Sequence, residues 1–531
     1  MPESLLSDRH FISAVSNIKP RSERQRDVAV LQRTYVETGV FPQLNNTNNQ
    51  ILYGRRGTGK SHVLRILELE AASRERAASL YIDVRTIGSA HLMTDDSQPL
   101  VIRCVGVFKD ILGLVQSELL DFATDPSHDG SGLEEVSTLA DIIQSRTVSV
   151  ASAEFEDSTQ DKVGSTSKVG ARVSQNPRAT AEAGKTNERT TGSKVKFTEV
   201  YRETVVFAEI GNFLDKALEA LGIEDLFILI DEWTAIPPDV QPYVAEFIKR
   251  TFFPCNRVVV KIASLEYRSN FTIGVDRGNP TGFELGSDIS ANLDLDDYYV
   301  YDRNPTNVVS IFLELLFKHV EAELPPGMLS ANGIEAPVNL RARLFTEPET
   351  FVELVRAGEG VVRDFLGIFS QAFFRAQREG RQKIDRSSVE EAARDWFETD
   401  KSTTLSPELR KALNTIVSDV IGTRQTTMFM LAREHSDNPV IQSLFDQRLI
   451  HLISRGYSDK ENPGLRYNIY SLDYGTYVDL KRTKAEPDRF TLFDDLDVDI
   501  IEGADEAKDR VVPFADKRSI RRVILTPTAL D

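Results

Sequence analysis

The sequence predicts an α/β fold with a doubly wound parallel sheet, followed by an α-helical lid and a C-terminal winged helix. As far as Asn304, short apolar runs alternate with amphipathic segments, which is typical of a parallel sheet with helices on both faces. A glycine-rich turn joins the first apolar run to the first long amphipathic segment. After Asn304 the strand signals stop and long amphipathic patterns take over, which indicates a helical domain.

Length and composition limit the class of protein. At 531 residues the chain holds roughly three or four domains of ordinary size. A net charge of -18 argues against a wholly basic nucleic-acid coat protein. Cys104 and Cys255 lie far apart without metal-ligand spacing, so we expect neither a disulfide framework nor a zinc site. No apolar run is long enough to span a bilayer, and we expect a cytoplasmic protein.

The first domain is predicted to be an α/β core. The segment SERQRDVAVLQRTYVETG reads as a helix, and ILY, ASLYIDVR, DLFILIDEW and RVVVKIAS read as buried strands. From about Asp125 to Ser193 the chain is rich in Ser, Thr, Gly and charged residues, which predicts an insertion that buries little apolar area, with a hairpin in KVGARVS. The sequence predicts five regions: an N-terminal helical segment (1–50), the α/β core with its insertion (51–303), the helical lid (304–400), the winged helix (401–485) and an acidic then basic tail (486–531).

The C-terminal part is predicted to be a winged helix. PELRKALNTIVSDVI, TTMFMLARE and PVIQSLFDQRLIHLIS read as three helices, and a turn with Asn-Pro-Gly between two aromatic-rich segments reads as a hairpin. The last segment, an acidic stretch followed by a basic one, has no assigned role.

The glycine-rich turn carries the clearest chemical signal. It fits G-x-x-x-x-G-K-[ST], in which backbone N–H groups at a helix N-terminus cradle phosphates. Lys60 is expected to contact the β and γ phosphates and Ser61 to hold Mg²⁺. The alternative is a structural turn without a ligand. The predicted nucleotide-binding residues are Gly54, Gly57, Thr58, Gly59, Lys60, Ser61 and His62.

Further polar residues end the neighbouring strands. Asp231 is expected to complete the magnesium shell, and Glu232 to orient the attacking water, unless the pair only caps a helix. Ser264 ends the next strand, where it either contacts the γ phosphate or caps a helix. Arg363 begins a helix of the lid and either contacts the phosphates or is a solvated arginine.

These motifs resemble those of AAA+ ATPases of the origin-recognition and archaeal replication-initiator type. YGRRGTGKSH resembles their Walker A motif, LFILIDEW their Walker B, KIAS their sensor 1, and GVVRDFLGIFSQAFFRAQREGRQKI their sensor 2 helix. RSERQRDVAVL resembles their N-terminal adenine-pocket segment. The resemblance implies ATP and Mg²⁺ as cofactors, with Glu232, Lys60, Ser264 and Arg363 as catalytic residues.

The chain also departs from that family. Trp233 stands where a small or acidic residue is usual, and Ser264 replaces the usual Asn. No residue clearly matches the arginine that acts on a neighbouring subunit's ATP, and Arg268 and Arg277 are the candidates. The insertion and the segment DEWTAIPPDVQPY together resemble bacterial origin-recognition-like ATPases, some of them associated with defence or mobile elements.

The expected function is an ATP-hydrolysing switch that couples nucleotide state to duplex DNA. Between Lys401 and Lys484 there are 12 Lys or Arg against 9 Asp or Glu, a slight basic excess. The predicted recognition helix supplies Arg448 and His451, and Arg455, Lys460 and Arg466 lie towards the wing. The alternative is an ATP-gated scaffold that binds a protein partner or forms a homo-oligomer.

Overall fold

A computed structural model describes most of the chain. The described residues are 4–20, 27–126, 131–146, 179–180, 204–205, 207–274, 280–301, 304–423, 426–458, 464–478 and 524–525. Two compact units can be distinguished. Unit 1 comprises Met1–Val40, Gly54–Val63 and Asp294–Asp531, and unit 2 comprises Phe41–Tyr53 and Leu64–Leu293. The predicted hairpin in KVGARVS, Arg277, Lys460 and nearly all of the C-terminal tail lie outside the described residues.

The described elements follow in chain order. The helices are α1 (Arg9–Asn17), α2 (Val28–Thr34), α3 (Phe41–Leu44), α4 (Lys60–Ala72), α5 (Ala90–Met93), α6 (Leu100–Thr124), α7 (Leu133–Arg146), α8 (Phe207–Ala220), α9 (Gln241–Phe252), α10 (Asp296–Tyr299), α11 (Pro305–Glu323), α12 (Met328–Ala331), α13 (Pro337–Leu344), α14 (Pro348–Ala357), α15 (Val362–Arg378), α16 (Arg386–Trp396), α17 (Pro407–Val417) and α18 (Pro439–Asp446). The strands are β1 (Gln50–Tyr53), β2 (Ala77–Asp83), β3 (Ala179–Thr180), β4 (Thr204–Val205), β5 (Asp225–Asp231), β6 (Val258–Ser264), β7 (Thr272–Ile273), β8 (Thr281–Gly282), β9 (Ser290–Asp294), β10 (Met428–Ala432), β11 (Ile450–Ser458), β12 (Arg466–Leu472) and β13 (Ile524–Leu525).

A five-stranded sheet forms the centre of unit 2. Its strand order is β2-β5-β6-β1-β9, and the β2–β5, β5–β6 and β1–β6 pairs are parallel. Every residue of β6 is buried, and so is β5 after its first residue, because helices cover both faces of these apolar runs. The predicted α/β class and its four strands are confirmed, whereas β9 was not predicted.

The predicted insertion begins with a helix that belongs to the core. In α7 the side chains of Val136, Leu139 and Ile143 are buried with those of α6 and α8. The prediction that little apolar area is buried from Asp125 onward is therefore wrong for this helix. Its apolar residues recur three or four positions apart, so they form one narrow stripe that the polar average composition hides.

The segment from α11 to α16 in unit 1 is all-helical, as predicted. Prolines at the first turn begin α11, α13 and α14, where the missing N–H costs no hydrogen bond. Phe365, Phe369 and Phe373 of α15 recur every four residues and are fully buried, and Phe365 packs edge-on against Phe312 of α11 at 4.8 Å. None of the described helices is long and apolar enough to span a membrane.

The C-terminal part combines helices with a sheet of order β11-β12-β10-β13, and its antiparallel hairpin β11–β12 is confirmed. Two of the three predicted helices need correction. TTMFMLARE contains the strand β10, because its four-residue apolar run is buried in the middle of a sheet. The helix predicted for PVIQSLFDQRLIHLIS ends early, at Asp446. Two residues later Arg448 adopts a left-handed backbone conformation, and the strand β11 begins at Ile450.

Candidate functional site

The phosphate-loop candidate lies between β1 and α4, as its motif requires. Gly54, Gly57 and Gly59 have φ angles of 152°, 87° and 103°, which L side chains rarely adopt. Helix α4 begins at Lys60, so the N–H groups of its first turn have no partners within the helix. The local backbone is therefore a strand, a glycine-dependent turn and a helix N-terminus, which is an arrangement suited to anions.

Two side chains of the loop bond to the loop itself. Lys60 Nζ donates to the carbonyl oxygens of Gly54 at 2.6 Å and Arg55 at 3.0 Å. The Thr58 hydroxyl is buried and donates to the Arg55 carbonyl at 2.9 Å. The Thr58 hydroxyl thus fixes the loop conformation, whereas the half-buried Lys60 places its ammonium group across the turn.

Arg55, a variable position of the motif, is almost completely buried. Asp296 accepts hydrogen bonds from its backbone N–H at 2.8 Å and from its Nε at 2.9 Å. Nη2 donates to the Glu359 carbonyl at 3.0 Å, and Nη1 contacts His451 Nδ1. These contacts could not be predicted from local sequence pattern, because all the partners are more than 200 positions away.

The candidate sensor arginine lies directly against the phosphate loop. The backbone N–H of Arg363 donates to the Gly57 carbonyl at 3.1 Å. A Cβ added to Gly57 would lie 2.8 Å from Arg363 Cβ and 3.2 Å from its Nε, and the Nε atom is buried. Arg363 is therefore not a solvated surface arginine, and the start of α15 contacts the loop at Gly57.

His62 is held by the N-terminal segment. Its Nε2 lies 2.8 Å from the Leu31 carbonyl oxygen, and its ring packs edge-on against Tyr35 at 5.7 Å. A carbonyl oxygen can only accept, so Nε2 carries the proton. Burial lowers the pKa of His62, although the Leu31 carbonyl works in the opposite direction. The ring therefore joins α4 to α2, beside the segment expected to contact adenine.

In unit 2 the Asp231 carboxylate is fixed on both oxygens. Tyr81 donates its hydroxyl to Oδ2 at 2.5 Å, and the backbone N–H of Glu232 donates to Oδ1 at 2.8 Å. Burial and then the negative charge of Asp231 raise the pKa of Tyr81 far above its usual value, so Tyr81 remains a donor. Tyr81 was not predicted, since a half-buried tyrosine on a strand is ordinary in sequence.

Glu232 has a left-handed backbone, with φ of 55°, directly after β5. Such a conformation is uncommon for a residue other than glycine and is often found at functional sites. Its carboxylate lies 3.5 Å from Arg85 Nη1, whose own guanidinium also pairs with Asp83. The following residue, Trp233, is fully buried and stacks on Phe271 at 5.2 Å, which explains the large side chain at this position.

Ser264 is the last residue of β6, and it is buried. It faces Tyr53 across the parallel pair β1–β6, so it lies at the sheet edge where β1 leads into the phosphate loop. Its hydroxyl bonds to the hydroxyl of Ser269. The alternative role as a helix cap is not seen, because the following short helix begins after Leu265 without a side-chain cap.

The remaining site candidates have fewer contacts. Arg268 is exposed in the short turn after β6, and Arg277 lies outside the described residues. Ser61 and Asp231 both offer oxygen atoms, the donors that Mg²⁺ prefers. Within the described residues no cluster of three or more His, Cys, Asp or Glu is arranged to hold a metal ion.

The residues expected to contact DNA have other roles. Arg448 is buried and pairs with Asp364 and with Asp400, the latter at 2.6 Å. His451 is buried against Asp473, with Nε2 3.0 Å from the carboxylate. Arg455 pairs with Asp294 at 2.7 Å. The prediction that Arg448 and His451 face a DNA groove is therefore wrong, because both bind buried carboxylates, whereas Arg466 is exposed.

The comparisons with known proteins agree with the motifs. The family model ORC-CDC6-like matches residues 22–89, which contain the phosphate loop. The resemblance is thereby confirmed over this segment. No curated protein matches the chain in sequence.

Several solved structures are similar at low identity. Cdc6p from Pyrobaculum aerophilum aligns with 88% of this chain and 97% of its own, at 11% identity and a TM-score of 0.33. For the ORC1 protein of Aeropyrum pernix in complex with DNA, the coverages are 88% and 96%, the identity 16% and the TM-score 0.32. A Walker-type ATPase of Pyrococcus abyssi aligns with 90% of this chain and 99% of its own, at 12% identity and a TM-score of 0.35.

Replacing Gly57 tests the contact between the loop and α15. Gly57→Ala and Gly59→Ala both force a β-carbon into a left-handed backbone, at a cost of about 1–2 kcal/mol each. Only the new Cβ at position 57 meets other atoms, since nothing lies within 4 Å of position 59. We therefore expect Gly57→Ala to be less stable than Gly59→Ala by about 1–3 kcal/mol in denaturant unfolding without ligand. Equal stability would show that Arg363 does not pack on the loop.

Proposed function

We propose that this protein is an ATP-binding and ATP-hydrolysing molecular switch of the AAA+ type. The observation that carries the proposal is the loop from Gly54 to Ser61, with its three left-handed glycines, a lysine at the helix start and Arg363 against Gly57. A turn without a ligand has no need of all these features together. The family match over residues 22–89 supports the same function.

Each residue has a proposed role. Lys60 and the first-turn N–H groups of α4 bind the phosphates, and Arg363 senses the γ phosphate. Ser61 and Asp231 hold Mg²⁺, which stabilises the charge that develops on the phosphates. Glu232 orients the attacking water, and Ser264 contacts the water or the γ phosphate. In the proposed division, residues 51–303 form the ATPase core, 304–400 the lid and 401–485 the winged helix.

Replacing Lys60 tests nucleotide binding. Lys60→Ala removes the charged donor of the loop, and we expect ATP to bind about 100-fold more weakly, equivalent to about 2.7 kcal/mol. Equilibrium titration with a fluorescent ATP analogue measures this affinity, and a thermal melt without ligand confirms that the variant is folded. Unchanged affinity or unchanged turnover in Lys60→Ala would refute the proposed function.

Glu232→Gln is the matched variant that separates binding from hydrolysis. The amide keeps the size of the side chain but cannot accept a proton, so we expect ATP affinity within about threefold of wild type and turnover lower by about 100-fold or more. Steady-state phosphate release with Mg²⁺ measures turnover. Normal turnover would remove Glu232 from its proposed role, while leaving nucleotide binding intact.

A protein partner is the second candidate for the target of the switch. Arg448, His451 and Arg455, which were expected to contact DNA, bind carboxylates of the same chain instead. A DNA-binding face would then depend on other residues, such as the exposed Arg466. Because these three side chains are already paired within the chain, we favour a scaffold as the second function. In its ATP state it would bind a protein partner or assemble as a homo-oligomer.

The salt dependence of DNA binding distinguishes the two targets. If duplex DNA is the ligand, log affinity falls steeply with log salt, and Arg466→Met lowers the slope by about one phosphate contact. Arg448→Met should leave the slope unchanged, because its guanidinium is buried. Absence of duplex binding at low salt, with sizing chromatography showing ATP-dependent assembly, would instead support the protein-partner function.

A further inference from the structure

A chain of buried polar contacts within unit 1 begins at the phosphate loop. Arg55 is 3% exposed although it belongs to the loop, and its guanidinium is directed away from solvent towards Asp296 and His451. The Arg55 Cζ atom also lies 5.7 Å from the centroid of the Phe445 ring, near the end of α18. The loop is thus held by two elements of the C-terminal part, α18 and β11, as well as by its own hydrogen bonds.

His451 has one arrangement of protons that satisfies both of its neighbours. A guanidinium can only donate, so Nδ1 next to Arg55 must accept, and the proton must be on Nε2. Nε2–H then donates to Asp473, 3.0 Å away. Burial and the adjacent charge of Arg55 lower the pKa of His451 to about 4, which keeps the ring neutral at physiological pH. The imidazole therefore joins a buried cation to a buried carboxylate with no charge of its own.

The contacts continue from Asp473 to the start of α15. Lys401 Nζ lies 2.5 Å from an oxygen of Asp473 and 3.0 Å from one of Asp364. Burial alone would raise the pKa of Asp473, but the charge of Lys401 and the hydrogen bond from His451 hold it below its usual value. Asp364 also pairs with Arg448 and accepts from Trp396 Nε1 at 3.1 Å.

These contacts close a ring, because Asp364 follows Arg363. The backbone of Arg363 bonds to Gly57, two residues from Arg55, so the ring passes through Gly57, Arg363, Asp364, Lys401, Asp473, His451 and Arg55. Buried charges tolerate little displacement, since each loses its partner if a neighbour moves. If the loop shifts at Arg55 or Gly57, then β11, the end of β12 and the start of α15 must therefore shift with it to keep these contacts.

We propose that His451 and Asp473 are positioning residues of the nucleotide site, which fix the phosphate loop through Arg55 and so make ATP affinity depend on the C-terminal part. This inference rests on the proposed function. His451 and Asp473 are both buried, so they act through Arg55 and not on the nucleotide. Coupling is reciprocal, and bound ATP therefore stabilises β11, which carries His451, and β12, which ends just before Asp473.

Two amides at position 451 separate the contact with Arg55 from the contact with Asp473. His451→Asn places an amide where Nδ1 stands and can still accept from Arg55, whereas His451→Gln places its amide where Nε2 stands and leaves Arg55 without that acceptor. Arg433→Met is the matched control, since Arg433 is an exposed arginine of the same C-terminal part. Each variant is made in the full-length chain and titrated with a fluorescent ATP analogue, and a thermal melt without ligand confirms folding.

We expect His451→Gln to weaken ATP binding about tenfold, as the loss of one charged hydrogen bond predicts. His451→Asn, which loses only the contact with Asp473, should weaken it about threefold, and Arg433→Met should leave it unchanged. Equal affinities for the Asn and Gln variants, with both folded, would overturn the inference but leave the proposed function intact. Failure of the wild-type chain itself to bind the analogue would overturn both.

Hydrogen exchange on the wild-type chain tests the inference without any substitution, in case His451→Gln does not fold. Saturating ATP is expected to slow exchange about threefold or more in Ile450–Ser458 and Arg466–Leu472. The helix α8, which belongs to unit 2, serves as the internal reference. Unchanged exchange in both strands, with nucleotide bound, would overturn the proposal.

Discussion

The burial of the Arg55 guanidinium is the constraint on which much of unit 1 depends. An arginine cannot lose its charge in a protein and has only donors to offer, so each buried N–H needs an acceptor. Asp296, the Glu359 carbonyl and His451 supply these acceptors from three separate stretches of the chain. The Arg55 side chain therefore fixes the ends of several elements. The same contacts hold the loop in a defined conformation without a ligand.

Arg55 and Gly57 both contact residues of the C-terminal half of the chain. In the proposed switch such an arrangement is useful, because the loop proposed to bind phosphate is also held by residues of the C-terminal part. The proposed coupling needs no additional moving part.

The sequence predicted what depends on local pattern. The strand–glycine–helix order, Lys60 at the helix start and the acids that end β5 follow from residue types at short spacing, and Arg363 was found through its motif. Contacts between distant positions gave no such signal, so the roles of Arg55, Tyr81 and the ring were not predicted. Errors in the C-terminal part have a physical cause, since short apolar runs fit a buried strand as well as a helix until their neighbours are known. Arg448 shows the same limit, because only its burial distinguishes an internal ion pair from a DNA contact.

If nucleotide binding at the phosphate loop shifts the contacts of Asp364, the surroundings of a neighbouring tryptophan must change. The chain has two tryptophans, which allows a direct test. With Trp233→Phe, Trp396 remains as the sole indole, and it donates to Asp364 at 3.1 Å. We predict a saturable change in its fluorescence on titration with Mg²⁺ and ATP, which disappears when Lys60→Ala is added. Constant emission at ATP concentrations where binding is complete by an independent titration would contradict the account.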